Sequence, residues 1–347
     1  MKLAILTFGD RQSASTRYRI LNFMPWLNRD FDAVKIVYYK GLTRPLKQWH
    51  KFVYVFQALK AARNSDIVLI QKILLPSWLL KRLANSTQRI VFDFDDAIWL
   101  DGPQVPVASP RQLRSEGKLR SVLQQVDHVI AGNEFLADYA KKYARSISVI
   151  PTVVDSERYT PHEDKHKNRV CLGWIGSQVN FPYLASLEPV FQQLHDRYPG
   201  RLYLKVISDG RFATKSGLEC LNVPWSEKTE IAEMGEFDIG LMPLADTQWA
   251  RGKCAFKAIQ YMALGIVPAV SPIGANTQVV TNGQNGMWAN SQAEWVAAIS
   301  RLIQDPDYRN LMGQAARERA LSQYTLNTAY PRLRQVLIEM NHIPSTQ

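Results

Sequence analysis

The sequence predicts an α/β fold built from two parallel-sheet domains, and three observations carry that prediction. Short apolar runs alternate with stretches of helical period along the whole of the 347 residues, as a parallel sheet with crossover helices requires. That plan is written twice. Between the two copies lies PTVVDSERYTPHEDKHKNR (151–169), with two prolines, many charges and no apolar period, which reads as a linker. In the first copy, strands are expected at 2–8, 34–39, 67–71, 89–94, 128–131 and 148–150, with helices at 17–28, 46–63, 77–84, 112–125 and 135–143. In the second, strands are expected at 170–175, 202–207, 218–223, 237–244, 266–270 and 287–289, with helices at 183–197, 228–234, 252–263, 292–304, 307–323 and 326–341. The domains are therefore expected over 1–160 and 161–325, facing one another across a cleft at their strand ends. The Pro-rich stretch DGPQVPVASPRQ (101–112) is long for a connection inside a compact domain. It reads as a lid or binding loop, or as a plain surface excursion.

Apolar content of 46% and charged content of 21% suit a chain that buries two ordinary cores. No apolar run reaches the roughly eighteen residues of a membrane span. The opening MKLAILTFGDRQ enters a strand pattern too soon for a signal peptide. Cys171, Cys220 and Cys254 lack metal-ligand spacing and read as reduced core residues, so a cytoplasmic setting is expected and a metal is not. The net charge is uneven. Residues 1–160 hold 24 Lys and Arg against 14 Asp and Glu, or +10, whereas residues 161–347 hold 18 against 17, or +1. Such a first half favours an anionic partner, with a generically basic surface as the alternative. Within it, RPLKQWHKFVYVFQALKAARN (44–64) sets Leu46, Trp49, Val53, Phe56 and Leu59 at helical spacing among basic residues. That is a helix for a peripheral membrane contact, or an ordinary core-packed one. Zinc spacing and an aromatic binding platform are both missing, so nucleic acid is not an expected partner.

The densest chemistry lies in FDIGLMPLADTQWARGKCAFKAIQYMALGIVPAVSPIGANTQVVTNGQNG (237–286). An apolar strand runs into a polar loop. A short helix with Lys253 and Lys257 follows, then a second strand and a small-residue loop at Gly274, Ala275 and Asn276. Lysines four apart share a helix face, and a helix start adds backbone N–H groups and a positive dipole end. Together they suit a diphosphate at the carboxyl ends of parallel strands, and they make Lys253 and Lys257 the catalytic candidates for a leaving phosphate. Asp246 and Arg251, in the preceding loop, could reach a bound hydroxyl or phosphate. Gly176 and Ser177 end an apolar strand ahead of a helix near Pro182, offering phosphate contact or simply a tight turn and cap. No G-x-G-x-x-G follows a strand, which counts against a dinucleotide cofactor.

In the first domain, SASTRYRI (13–20) puts Ser15, Arg17 and Arg19 at an expected helix start, where cations ask for a compensating anion such as a phosphate. VFDFDDAIW (91–99) gathers Asp93, Asp95 and Asp96. In extended geometry Asp93 and Asp95 point to one side and Asp96 to the other. Binding of a substrate hydroxyl, or a base role for Asp95 or Asp96, is expected ahead of metal binding. His128 falls inside an apolar strand and reads as a core histidine.

Four stretches resemble retaining glycosyltransferases of the two-Rossmann-domain GT-B fold, in the broad family-four group (glycosyl transferases group 1). IPTVVDSERYTP (150–161) is similar to that family's interdomain entry. LGWIGSQVNFPYL (172–184) resembles the turn that opens its donor domain. VPW (223–225) with FDIGLMPL resembles the base edge and the strand behind it. KCAFKAIQYMALGIVPAVSPIGANTQVV (253–280) resembles the donor-phosphate helix and its glycine loop. The SASTRYRI stretch resembles the family's Ser-x-Arg-x-Arg entry. Aligned on YMA (261–263), Gly252 and Gln260 stand where many relatives carry a glutamate pair, so the resemblance is to a subgroup without it.

The resemblance implies a transferase that moves a sugar from a nucleotide-sugar donor to a hydroxyl of a glycan, lipid-linked or small-molecule acceptor. It implies retention, no metal, and no cofactor beyond the donor, which is a substrate. It sets Val223 and Trp225 beside the base, with Trp225 alternatively a core aromatic. It also implies that the last helix, from Leu326, crosses back onto the first domain. A sugar-nucleotide epimerase or hydrolase of the same architecture, and a non-catalytic basic binding protein, are the competing readings.

Overall fold

A computed structural model describes residues 1–39, 48–100, 102, 110–161 and 169–342. Most of 101–112, part of the linker and residues 44–47 of the basic stretch lie outside the described residues. The chain divides into two compact units, Met1–Val153 with Gly252–Cys254 and Leu326–Gln347, and Val154–Arg251 with Ala255–Thr325. The first boundary thus falls at Val153 rather than at 160, and three residues expected in the second domain belong to the first unit.

The first unit runs β1 (Lys2–Thr7), α1 (Ala14–Arg19), α2 (Met24–Asp30), β2 (Ala33–Tyr38), α3 (Gln48–Arg63), β3 (Ile67–Gln71), α4 (Ser77–Ala84), β4 (Arg89–Phe94), α5 (Pro110–Gln125), β5 (His128–Ala131), α6 (Glu134–Ala140) and β6 (Ile147–Val149). Its six strands are all parallel, in the order β2-β1-β3-β4-β5-β6. Strands β3 and β4 are buried at every residue, which is why their central residues, 67–70 and 90–92, read as apolar runs.

The second unit runs β7 (Val170–Ile175), α7 (Phe181–Ala185), α8 (Glu188–Arg197), β8 (Leu202–Ser208), β9 (Cys220–Pro224), α9 (Glu230–Gly235), β10 (Ile239–Met242), α10 (Gln248–Arg251), α11 (Phe256–Ala263), β11 (Val267–Val270), α12 (Asn276–Val279), β12 (Met287–Trp288), α13 (Gln292–Gln304) and α14 (Pro306–Gln323). Its sheet is again parallel, ordered β12-β11-β10-β7-β8-β9. This is the doubly wound order of mononucleotide-binding folds, reversing between β7 and β10; in the first unit the order reverses between β1 and β3. A parallel sheet opens a crevice beyond the carboxyl ends of its strands at such a reversal.

The last helix, α15 (Leu326–His342), belongs to the first unit. Tyr330 Oη donates to Trp26 O at 3.0 Å and to Asp30 at 2.8 Å, and Arg89 Nε donates to Met340 O at 3.3 Å.

Three expected helices differ in detail. The stretch 17–28 is broken by a 3-10 turn (Leu21–Phe23), with α2 starting at Met24 so that Pro25 falls in the first turn, where its missing N–H costs nothing. The stretch 183–197 divides into α7 and α8 for the same reason at Pro189. Helix α11 begins at Phe256 rather than 252, because Ala255 takes a left-handed backbone (φ 52°). Helices α10 and α12 fill loops that the apolar pattern left without an element.

Candidate functional site

Within the first unit, the carboxyl ends of β3 and β4 carry a network of buried charge. Lys72 follows β3 directly with a left-handed backbone (φ 62°), and its N–H donates to Asp93 O at 2.7 Å. Its ammonium reaches Asp95 Oδ1 at 3.0 Å, pairs closely with Asp96, and donates to Ser15 Oγ at 3.1 Å. Ser15, on α1, donates in turn to Asp95. Burial alone would raise the Asp95 carboxyl, but the charges of Lys72 and Arg19 and the Ser15 hydrogen bond outweigh it and hold the group below the usual carboxylate range. The same carboxylates outweigh the burial of Lys72 and keep its ammonium protonated. Asp95 and Asp96 therefore share one cation instead of pointing apart. The strand ends at Phe94, so the alternation expected from extended geometry stops one residue too early to separate them.

Arg17 and Arg19 are not at a helix start. Arg19 is the last residue of α1 and is buried in a forked pair with Asp93, with Nε to Oδ2 at 3.1 Å. It also donates to Ile150 O at 2.6 Å. The compensating anion is thus Asp93, and both residues tie strands together inside the unit. Arg17 donates to Arg11 O and Gln12 O at 3.0 and 3.2 Å, fixing the loop after β1.

Residues Gly252–Cys254 dock on this same strand end. Asn133, which caps α6, donates to Gly252 O at 3.2 Å and Lys253 O at 3.1 Å. The Cys254 thiol, pushed up by burial, donates to Asp95 O at 3.1 Å. Lys253 is half-buried in the bend ahead of α11. It does not share a helix face with Lys257: the left-handed Ala255 separates them, and the two lysines fall in different units.

In the second unit, Lys257 lies in the first turn of α11, with its ammonium 4.3 Å from the centre of the Trp174 ring. Gly176 closes β7 beside it. A Cβ on Gly176 would stand 2.8 Å from Lys257 Nζ and 2.7 Å from the Trp174 ring, so the bare backbone is what lets the ammonium approach this strand end. Ser177 is otherwise engaged: its hydroxyl donates to Asp209 Oδ2 at 3.2 Å, and the next N–H, of Gln178, to Asp209 Oδ1 at 2.7 Å. A carboxylate thus occupies the turn where a phosphate was expected, which leaves Gly176 but not Ser177 suited to that contact.

Asp246 and Arg251 form an exposed two-point pair at 2.7 and 2.9 Å. Gly274 (φ 55°) packs on the backbone of Arg251. Ala275 follows, and Asn276 is buried, donating from Nδ2 to Ser271 O at 2.9 Å, with its N–H given to Ile273 O. Asn276 holds the loop in shape and does not present its amide to the open. Val223 pairs with Ile207 in the edge strand β9, and half-buried Trp225 donates from Nε1 to Glu230 Oε2 at 2.7 Å.

His128 is buried between Ser146 and Ser148 Oγ, at 2.9 and 3.0 Å. Among the described residues no group of three or more His, Cys, Asp or Glu is arranged to hold a metal ion. Lys72, Asp209 and Asn133 are the polar residues of these strand ends that the sequence reading missed. Lys72 and Asp209 directly follow β3 and β8, and Asn133 stands two residues past β5 as the cap of α6; those positions were the available signal.

Residues 250–319 match the family of glycosyl transferases group 1. The fold is shared with solved structures across nearly the whole chain. Sucrose-phosphate synthase from Thermosynechococcus elongatus superposes with a TM-score of 0.70 at 13% identity, covering 98% of this chain and 99% of that one. Anabaena HepE in complex with UDP-glucose gives 0.69 at 14% identity, covering 98% and 100%. The lipopolysaccharide outer core galactosyltransferase WaaB gives 0.64 at 11% identity, covering 98% and 99%. No curated protein matches the chain in sequence. The two-sheet architecture is therefore the GT-B fold of glycosyltransferases.

Proposed function

We propose, from the match of residues 250–319 to the family of glycosyl transferases group 1, that this chain moves a sugar from a nucleotide-sugar donor to a hydroxyl of a glycan, lipid-linked or small-molecule acceptor. The carrying observation is the Lys257 ammonium, set in the first turn of α11 against Gly176 at the carboxyl end of β7. Breaking the bond from the anomeric carbon to the diphosphate leaves negative charge on the departing oxygen. A fixed cation beside helix N–H groups stabilises that charge as it develops. The Lys257 ammonium and the N–H groups of the helix start supply the positive charge, so the reaction proceeds without a metal. HepE, which shares the fold, has been seen with UDP-glucose bound, and this supports a nucleotide-sugar donor. In the first unit, ionised Asp95 and partly exposed Asp96, held by Lys72 and Ser15, accept hydrogen bonds from the acceptor hydroxyls. The acceptor proton passes to a donor phosphate oxygen, and configuration is retained. The enzyme works in the cytoplasm, with peripheral contact at the inner membrane face through 44–64.

A thermal-shift panel of UDP-, GDP- and other nucleotide sugars tests this. One of them should raise the melting temperature of the native protein. Lys257→Ala should abolish that rise and lower kcat/KM for transfer by roughly a hundredfold, leaving the ligand-free melting temperature nearly unchanged. EDTA should not alter turnover. A Lys257→Ala protein with native affinity and kinetics would remove the proposed role, and turnover that stops with EDTA would remove the metal-free mechanism.

A further inference from the structure

Helix α3 turns two unlike faces outward and inward. Tyr54, Ala58, Ala61 and Ala62 pack into the core of the first unit, and the small alanines bring the helix close to the sheet. On the other side Trp49, Phe52 and Phe56 are 57%, 73% and 68% exposed, with Val53 among them. The sheet beside them ends in the edge strand β2. A groove of 640 Å³ runs between β2 and α3, with Ile36, Val37, Val53 and Phe56 as its apolar lining and Lys35 and Lys60 at its rim. Large aromatics exposed in series on one helix are unusual for a free surface and mark an interaction site.

Charge says what covers it. Residues 33–65 carry seven Lys or Arg and not one Asp or Glu. Lys35, Lys51, Lys60 and Arg63 are exposed on β2 and α3 themselves. Aromatic side chains flanked by cations, with no carboxylate to repel phosphate, complement the headgroup region of an anionic bilayer: rings enter the acyl boundary while ammonium groups stay at the phosphates.

We propose that this face of α3, with the β2 edge, docks on an anionic phospholipid bilayer, Phe52 and Phe56 inserting and Lys35, Lys51, Lys60 and Arg63 lying on the headgroups. The proposal deepens the membrane contact stated above and names its surface. Co-sedimentation of the full chain with phosphatidylcholine vesicles, with and without phosphatidylglycerol, tests it. The native protein should sediment with the anionic vesicles, should stay in solution with the neutral ones, and should be released by high salt. Phe52→Glu with Phe56→Glu should weaken partitioning by roughly tenfold or more, and Lys35→Glu with Lys60→Glu should weaken it too. Both side-chain pairs are exposed, so circular dichroism and the nucleotide-sugar thermal shift should stay native. That second readout separates failure here from failure of the transferase reading. Equal sedimentation with neutral vesicles, or unchanged sedimentation of the Phe variant, would overturn the proposal. So would a native dimer, seen by light scattering, that the Phe variant dissolves, since the face would then belong to a second copy.

Discussion

Lys72 shows how much one residue decides here. Its left-handed backbone is strained for a side chain with a Cβ, and such strain persists only where the surroundings fix it. What fixes it is charge: one ammonium serves Ser15, Asp95 and Asp96. Lys72→Met should leave Asp95 buried without its cation and destabilise the protein by about 3–5 kcal/mol at pH 7, read from urea unfolding. The pH dependence follows from the sign of the Asp95 shift. Its folded-state value is depressed, so its contribution is fully present above the unfolded value of about 3.9 and is lost as pH falls through the folded one. Without Lys72 that depression goes, and Asp95 takes up its proton at higher pH. The deficit of the variant should therefore be largest at neutral pH and narrow towards about pH 4. A deficit that stayed constant over this range would mean the lysine acts through packing alone.

At the scale of elements, the parallel strands set the stage and the turns after them hold the chemistry. The turn between β11 and α12 is the sharpest example. Gly274 combines a positive φ with an imaginary Cβ only 2.7 Å from Arg251 O and 2.8 Å from Arg251 Cα, atoms of backbone that cannot swing aside. Gly283 also has a positive φ (75°), but nothing stands within 4 Å of its Cβ direction. Gly283→Ala should cost about 1 kcal/mol of backbone strain. Gly274→Ala should cost about 2–4 kcal/mol, because the α10 turn must also move. Equal unfolding midpoints for the two variants would show that this turn yields more easily than its contacts imply.

At the scale of the whole molecule, the chain leaves the first unit at Val153, rejoins it briefly at Gly252–Cys254 and returns to it for good at Leu326. In the second unit Val154 bridges Thr325 and donates to Tyr324 O at 3.0 Å, so the first and last residues of that unit lie side by side. Helix α15 buries Tyr330, Leu333, Val336, Leu337 and Met340 in the first unit. A chain ending at Thr325 would leave that apolar surface of the first unit uncovered. Calorimetry should then show the first unit's transition lost or lowered by more than about 10 °C, while the second unit, with its own core, still melts cooperatively. A single transition at the native temperature would mean that α15 contributes little.

Strand existence was legible because the central strands of a doubly covered parallel sheet hold short apolar runs, and β3, β4 and β10 are buried at each residue. Helix ends were less so: the left-handed Ala255 carries no Gly or Pro to announce it. The family resemblance of 253–280 was legible too, because a helix–strand–helix motif keeps its order along the chain, and residues 250–319 match the family of glycosyl transferases group 1. What could not be read was which charges meet. Arg19 lies 74 residues from Asp93, and Lys72 lies 57 from Ser15 and 24 from Asp96. The sequence by itself determined two parallel-sheet units and the stretches that carry chemistry, since burial and chain order are local or periodic properties. Only the tertiary structure decided that Arg19 is spent on Asp93, that Asp209 fills the turn at Ser177, and that Lys253 and Lys257 part company, because ion pairing depends on distances between strand ends that no spacing along the chain records.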